Sequence, residues 1–207
     1  MLKKLTFLFV FSSNFLLADS LVFYEPSLVG PACVDAAWVL SPSSNSLSIL
    51  LNQFNLVGNQ YQTCQILIPI SIEGPISETN PKVIQTDYRG FYDLPEETML
   101  SHQVSYQLNQ NQEFVKVNFA HGPDTNTYTY SHQPSITCNG TQILKLWVQS
   151  ALLGNPNASY SLDTIDLGTA VTPDFALQLC SSAASSTVFS PMLALVTTLF
   201  LWTLNSN

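Results

Sequence analysis

Positive charge is scarce in this sequence. Its 207 residues include six lysines and arginines against fourteen aspartates and glutamates, which gives a formal net charge of −8 at pH 7. Two of the six basic residues lie at the N-terminus, and the others are isolated at Lys82, Arg89, Lys116 and Lys145. Nucleic acids and anionic lipids are bound by clustered basic side chains that neutralise phosphates. The composition therefore disfavours a nucleic-acid partner.

The motifs of common catalytic and metal sites are also missing. The sequence has no Gly-x-Ser-x-Gly, no glycine-rich phosphate loop and no His-Glu-x-x-His. His102, His121 and His132 have no partners at ligand spacing, so we expect structural or surface roles for them. Asp163 and Asp166 lack the ligand-rich spacing of a calcium loop. We predict no catalytic residue, cofactor or metal site, although a hydrolase whose carboxylates meet only in the fold stays an alternative.

The N-terminus has the pattern of a secretory signal. Met1–Lys4 is basic, Leu5–Leu17 is apolar, and Ala18 is a small residue suited to cleavage. A retained membrane anchor fits less well, because this apolar run is short for a membrane span. We therefore predict that residues 1–18 are a signal peptide.

The C-terminus has a different apolar segment. Small residues from Ser181 to Ser186 precede the run Val188–Leu204, and no charged residue follows Asp174. This order is typical of a glycosylphosphatidylinositol attachment signal, whereas a membrane-spanning tail usually has basic residues on its cytoplasmic side. A short membrane anchor or a bacterial sorting tail is the alternative for residues 183–207. We expect a secreted protein that contacts the membrane only through this tail.

Between the two ends, residues 19–182 have the pattern of one β domain. Apolar residues alternate from Cys64 to Ile72, and a second long strand is predicted over Val83–Leu94. We expect these two strands to pair at the centre of an antiparallel sheet. Other strands are predicted at Asp35–Leu40, Leu47–Phe54, 102–108, 115–119, 128–130, 144–148 and 175–179, with residues 55–60 as a turn. The pattern predicts an all-β, antiparallel β-sandwich of jelly-roll type.

The four cysteines are Cys33, Cys64, Cys138 and Cys180. An even number in a secreted domain favours two disulfides, and the lack of a Cys-x-x-Cys pair argues against zinc. Three pairings are possible. Sequential pairing would close one loop near each end of the domain.

An ordered set of short motifs resembles a known family. The motifs are GPAC at Gly30–Cys33, LSILLNQF at Leu47–Phe54, TCQILIPI at Thr63–Ile70, DYRGFYDL at Asp87–Leu94, HGP at His121–Pro123, CNG at Cys138–Gly140 and FALQLC at Phe175–Cys180. Their order and spacing are similar to the secreted family called domain of unknown function 4360, although Thr63 and Asn139 depart from its common residues. The resemblance implies a secreted, disulfide-containing β domain without an established activity. With the even cysteine count, it leads us to predict two disulfides, Cys33–Cys64 and Cys138–Cys180.

Two groups of residues are candidates for ligand contact. Asp87 and Arg89 lie two apart on a strand, so their side chains share a face and can form an ion pair that orients a sheet edge. Alternatively, Arg89 anchors a carboxylate or a sugar. The aromatic rings of Trp38, Tyr128, Tyr130 and Trp147 would serve a carbohydrate-binding module if they are exposed, and otherwise they belong to the core.

The sequence therefore favours a non-catalytic secreted or cell-surface domain acting in adhesion or in wall or matrix association. A carbohydrate-binding module is the alternative, and the hydrolase is less favoured. The partner we expect is a glycan or a matrix component. Asn139 and Asn157 begin Asn-x-Ser/Thr sequons, which predict surface loops that can carry sugar.

Overall fold

A computed structural model describes residues 20–74, 76, 80–109 and 113–177 of the chain. These residues form fourteen strands and one short 3-10 helix, Pro31–Cys33. The strands are β1 Ser20–Phe23, β2 Ser27–Val29, β3 Ala37–Leu40, β4 Leu47–Leu50, β5 Asn55–Val57, β6 Gln60–Glu73, β7 Lys82–Leu94, β8 Met99–Leu108, β9 Phe114–His121, β10 Asp124–His132, β11 Pro134–Ile136, β12 Gly140–Leu153, β13 Ser159–Ala170 and β14 Phe175–Leu177. No helix within these ranges is long and apolar enough to cross a membrane. The proposed signal peptide and the C-terminal tail lie outside the described residues.

The strands form two sheets. Sheet A has the order β1-β6-β12-β8-β9, with β2 also pairing with β6. Sheet B has the order β14-β11-β7-β13-β4-β3, with β10 pairing with β7 and β5 with β13. All pairs are antiparallel except β11 with β14. The prediction of an all-β sandwich of antiparallel sheets is confirmed.

The two long strands at the centre of the sequence exist, but their predicted pairing is wrong. Strand β6 pairs with β12 in sheet A, and β7 pairs with β13 in sheet B. Glu73, at the end of β6, and Lys82, at the start of β7, therefore lie in different sheets. Each strand has one apolar face. The two apolar faces pack against each other in the core of the sandwich and are thereby removed from water.

The longest strand missed in the sequence is β13, at the centre of sheet B. Its apolar residues alternate as Tyr160 and Leu162, and then as Ile165 and Leu167. The register with β7 shifts between Leu162 and Thr164, which is the mark of a β-bulge. The extra residue reverses the phase of the alternation, so a strict period of two does not continue through this strand.

Smaller differences concern the strand ends. The predicted strands Asp35–Leu40 and Leu47–Phe54 are shorter in the structure, as β3 and β4, and pair with each other. Residues 55–60 are not only a turn, because β5 lies there and pairs with β13. Strand β14 confirms the last predicted strand, Phe175–Leu177 in the described residues.

The core lies between the sheets. Sheet A contributes the isoleucines of β6, and sheet B contributes Ile84 and Tyr88 from β7 and Ile165 from β13, all fully buried. Burying one such aliphatic side chain stabilises the fold by about 1.5–3 kcal/mol. The inward faces of β6 and β7 are therefore among the main sources of stability, although the two strands are in different sheets.

One disulfide is described in the structure. Cys33 and Cys64 are bonded, with Cα atoms 5.4 Å apart, which confirms this predicted pair. The bond links the 3-10 helix to β6 across 31 residues, and a loop of that size is worth about 3–4 kcal/mol in the chain-entropy picture. Cys138 has no free thiol. Because Cys180 lies outside the described residues, the pairing Cys138–Cys180 stays a prediction.

Candidate functional site

Two of the tyrosines proposed for ligand contact point into the sandwich. Tyr128 is buried, and its hydroxyl donates to the Tyr160 hydroxyl at 2.7 Å. Tyr130 is half-buried and its ring centroid lies 4.6 Å from that of Tyr128. The proposed contact role is therefore wrong for Tyr128, and most of Tyr130 belongs to the core. Both residues share the inward face of β10 with His132, which is also buried.

The interior has a polar network that joins the two sheets. The hydroxyls of Tyr88 and Tyr106 are 2.8 Å apart, and the Tyr106 hydroxyl is 2.6 Å from Nδ1 of His132. The other ring nitrogen of His132 is 3.1 Å from Nδ2 of Asn118. Burial raises the pKa of both tyrosines, so they stay neutral. This network fixes the relative position of the sheets and offers no group to a solute.

His102 is part of the same interior. Its Nδ1 lies 3.0 Å from the hydroxyl of Ser150 and 2.9 Å from that of Tyr160, whereas its Nε2 is buried without a hydrogen-bond partner. Burial, with a smaller contribution from His132, lowers the pKa of His102 to about 3. Burial and the nearby Lys116 lower the pKa of His132 to about 4. Both rings are therefore neutral at physiological pH and sealed from solvent. The expected structural role of these two histidines agrees with this geometry.

The predicted ion pair between Asp87 and Arg89 is present on the outward face of sheet B. The shortest distance between the two charged groups is 3.4 Å. Asp166 on β13 lies opposite Asp87 and is 3.5 Å from the same guanidinium. Strand β7 is flanked by β10 and β13 here, so this cluster lies in the sheet interior and not at an edge as expected.

The two carboxylates of this cluster are well supplied with donors. Ser131 and Gln85 both donate hydrogen bonds to Asp87, and Ser48 donates to Asp166 at 2.5 Å. Arg89 is half-exposed but lies between two negative charges. It is therefore largely neutralised and is a poor anchor for a carboxylate ligand.

A shallow hollow of about 160 Å³ adjoins the cluster. It is lined by Gln85, Asp87, Asp166, Leu167, Gly168 and Thr169. A pair of neighbouring carboxylates beside a hollow is one of the features that the hydrolase alternative requires. No group of three or more metal-ligating side chains occurs in the part of the chain that the structure describes. Asp163, at the bulge, and Asp166 are thus not brought together as calcium ligands.

The outward face of sheet A has a different chemistry. Tyr61 on β6 and Trp147 on β12 are 57% and 40% exposed. Gln149 lies between them along β12, and it donates to the Tyr61 hydroxyl at 2.8 Å and accepts from Gln103 at 3.1 Å. We call Tyr61, Gln65, Gln103, Trp147 and Gln149 the amide–aromatic face.

The register of the strands sets the size of this face. Tyr61 lies opposite Ala151, four residues along β12 from Trp147, so the Cα atoms of Tyr61 and Trp147 are about 14 Å apart at the usual strand spacings. The alternation of the strands places Thr63, Leu67, Ser101, Ser105, Gln107, Lys145 and Ala151 on the same side. These residues and the amide–aromatic face together include one lysine and no carboxylate. This part of the outward face is therefore nearly uncharged and rich in groups that both donate and accept hydrogen bonds. The same alternation places Glu73, at the far end of β6, and the apolar Val115, Val117 and Phe119 of the neighbouring β9 on this side as well.

Sequence reasoning found only part of this face. The sequence analysis includes Trp147 among the candidate rings but not Tyr61, because the pattern predicts that the strand begins at Cys64. Extending the alternation back from Ile66 and Cys64 would have placed Tyr61 opposite to the buried isoleucines. Trp38, the remaining candidate ring, is partly buried and packs against the core.

Both sequons lie on the surface. Asn139 and Asn157 are exposed, as predicted. The side-chain amide of Asn139 donates to the carbonyl oxygen of Gly74 at 2.9 Å. Whether either asparagine carries sugar stays a prediction.

The structure thus defines a disulfide-bonded β-sandwich domain with two chemically different outward faces. The chain belongs to the family described as a domain of unknown function, DUF4360, which matches residues 24–180. The resemblance noted in the sequence is therefore confirmed. No curated protein matches the chain.

Solved structures with a similar arrangement of strands include carbohydrate-binding modules. One is a family 61 module in complex with β-1,4-galactotriose, at 12% identity and a TM-score of 0.33, with 72% of this chain and 91% of the module covered. Another is the CBM36-1 domain of a xylanase from the hindgut metagenome of Trinervitermes trinervoides, at 12% identity and a TM-score of 0.30, with 72% and 100% covered. A third is the family 11 module of Clostridium thermocellum with a mixed-linked tetrasaccharide, at 10% identity and a TM-score of 0.23, with 78% and 93% covered. Such low values do not identify a ligand for this chain.

Proposed function

We propose that this protein is a non-catalytic glycan-binding domain of the cell surface, and that its amide–aromatic face is the binding surface. The observation that carries the proposal is the hydrogen-bonded row from Gln103 through Gln149 to Tyr61, next to the exposed ring of Trp147. On the face of the Arg89 cluster, the described residues offer the exposed ring of Phe91 and the amide of Gln85, which already donates to Asp87.

The chemistry of this face matches that of a sugar. A pyranose ring has an apolar side made of C–H groups, which packs against an aromatic ring, and a rim of hydroxyls. Glutamine amides donate and accept hydrogen bonds, so they can satisfy hydroxyls in either role. Ligand sites commonly combine aromatic walls with a few such polar groups.

Charge restricts the class of glycan. With a net charge of −8 and a single lysine on this side of sheet A, the domain repels polyanions. Neutral polysaccharides or neutral glycans of a wall or matrix are therefore the ligands we propose, in preference to uronic-acid or sulfated polymers.

The proposed setting is extracellular. The signal-like N-terminus and the tail after Ser186 support secretion followed by attachment to the cell surface through a lipid-linked glycan. Such attachment would present the face for adhesion or for wall or matrix association. Phospholipase C treatment of intact cells should release the protein in soluble form, and retention in the membrane would contradict this attachment.

The test of function is binding of the full chain to a glycan array, followed by titration with the best neutral oligosaccharide. We expect Trp147→Ala and Tyr61→Ala each to weaken binding about tenfold, or about 1.4 kcal/mol, because each change removes the apolar area and the ring face that a sugar would cover. Phe91→Ala is the matched control, because Phe91 is 39% exposed on the outward face of sheet B. Equal losses from Phe91→Ala, or full affinity in Trp147→Ala, would reject the amide–aromatic face.

A hydrolase is the second candidate, because Asp87 and Asp166 lie side by side at a hollow. If bound oligosaccharides are cleaved, Asp166→Asn should abolish product formation while leaving the fold intact. Stable oligosaccharides after long incubation with the wild-type protein would remove this candidate.

A further inference from the structure

Strand β9 is an edge of sheet A. It pairs with β8 along its whole length, and no strand of the described residues pairs with its other side. On this open side, the backbone N–H and C=O groups of every second residue of β9 therefore have no strand partner among the described residues. Such a row of groups can pair with another chain, and proteins usually protect it.

The other edges are short or polar. Strands β1, β2, β3, β5 and β14 have four residues or fewer. Strand β10 has nine, but its outward side chains are Thr125, Thr127, Thr129 and Ser131. The outward side chains of β9 are Val115, Val117 and Phe119, all exposed, with Phe119 at 60%. Strand β9 is thus the one described edge that is both long and apolar.

The usual protective features are absent from β9. It has no proline, and the ammonium group of its single lysine, Lys116, lies 5.0 Å from the ring centroid of Phe175 and 5.8 Å from that of Phe114. This places the charge over two inward aromatic rings and not along the open edge. An apolar edge without a blocking charge indicates that another strand covers it.

We propose that a second copy of this chain covers it, through antiparallel pairing of β9 with β9 about a two-fold axis at Val117. An axis perpendicular to the sheet keeps outward residues outward, so each residue meets one on the same face. Val115 then lies opposite Phe119 of the second copy, and Lys116 opposite its Asn118. Glu113, which is exposed just before β9, lies opposite His121. Because of the symmetry, the Lys116–Asn118 contact beside the axis and the Glu113–His121 contact at the ends each occur twice.

The register with its axis at Val117 makes more favourable contacts than the registers with the axis one residue to either side. Moving the axis to Lys116 would place two lysines directly opposite each other, which is destabilising. Moving it to Asn118 would place Val115 opposite His121 and leave Glu113 beyond the paired segment. Only the axis at Val117 joins three apolar contacts with two Glu–His contacts.

Pairing at β9 would join the two copies of sheet A into one continuous sheet. The outward faces of both copies would lie on the same side. One strand pair buries an area at the low end for specific complexes, so the dimer should be weak and depend on concentration. The inference does not rest on glycan binding, although two aligned faces would add avidity to it.

The test is sedimentation equilibrium of the full chain over a wide concentration range. We expect a reversible dimer that Val117→Lys converts to a monomer, because two lysines would then meet at the axis. Thr127→Lys, the same change on the polar edge β10, is the control and should leave the dimer intact. Circular dichroism of each variant separates loss of pairing from loss of folding.

A charge exchange tests the register itself. Glu113→Arg and His121→Glu should each weaken the dimer at least tenfold, and the double variant should restore it, because each Arg would then face a Glu. A wild-type protein that stays monomeric, a dimer that survives Val117→Lys, or a double variant that fails to recover would overturn the proposal. Tyr61→Ala should leave the dimer unchanged, so a failure of glycan binding is distinguishable from a failure of pairing.

Discussion

Acidification should destabilise this protein through His102, which is buried in the sandwich as a neutral ring. Its Nδ1 contacts Ser150 and Tyr160, and the rings of Tyr88 and Tyr130 have centroids 5.4 Å from its own. His132 contributes to the lowered pKa of His102, and the ring centroid of Tyr128 lies 6.5 Å away; none of these groups is a carboxylate. A proton on His102 therefore gains no partner in the folded state.

The magnitude follows from the difference in pKa between the two states. Burial lowers the pKa of His102 to about 3, whereas histidine in an unfolded chain has a pKa of about 6.5. The unfolded chain therefore binds the proton first, and stability is complete above pH 6.5 and falls as the pH drops towards 3. A pH of 5 is about 1.5 units below the pKa of histidine in the unfolded chain. Protonation of His102 in the unfolded chain therefore lowers the free energy of unfolding at pH 5 by about 2 kcal/mol. That is a large part of the 5–15 kcal/mol that stabilises a typical domain.

The assay is urea unfolding of the full chain at pH 7 and pH 5, with the free energy of unfolding extrapolated to water. His102→Gln removes the titrating group, so the decrease between the two pH values should be about 2 kcal/mol smaller than in the wild type. His132, with its pKa lowered to about 4, keeps part of the decrease in both proteins. If His102→Gln loses as much stability as the wild type on acidification, the buried neutral histidine is not the cause.

Three further predictions concern a tightly packed glycine, the disulfide and the sequons. A Cβ atom on Gly90 would lie 2.0 Å from the carbonyl oxygen of Ser161. Gly90→Ala should therefore destabilise the domain by about 3 kcal/mol or more, measured by thermal unfolding. Gly168→Ala is the control and should be nearly neutral, because a Cβ atom at Gly168 would meet open space. Replacing Cys33 and Cys64 together by serine should cost about 2–5 kcal/mol, and peptide mapping without reduction that links Cys33 to any other cysteine would contradict the observed bond. Glycosidase treatment of protein from the native host should increase its mobility if the sequons at positions 139 and 157 are used, and unchanged mobility would reject them.

The sequence by itself determined the positions of those strands in which apolar and polar residues alternate strictly. In β6, every second residue from Cys64 to Ile72 is apolar, and the side chains of a strand point alternately to its two faces. This is a local property, so it can be read without knowing any neighbour. The ion pair of Asp87 and Arg89 is predictable for the same reason, because residues two apart share a face. The pair Cys33–Cys64 was anticipated through the resemblance to a family.

The tertiary structure alone decided which strands are neighbours and which face of each strand is inside. Strands β6 and β7 follow each other in the chain, yet they lie in different sheets, since pairing depends on distant segments such as β12 and β13. Tyr128 and Tyr130 alternate with threonines, so the local pattern is compatible with either orientation, and the contacts with Tyr160 and the core select the inward one. The bulge near Asp163 hides β13 by reversing its phase. For the amide–aromatic face, the side chains of three strands come together only when their registers are fixed, and registers are set by hydrogen bonds between segments far apart in the sequence.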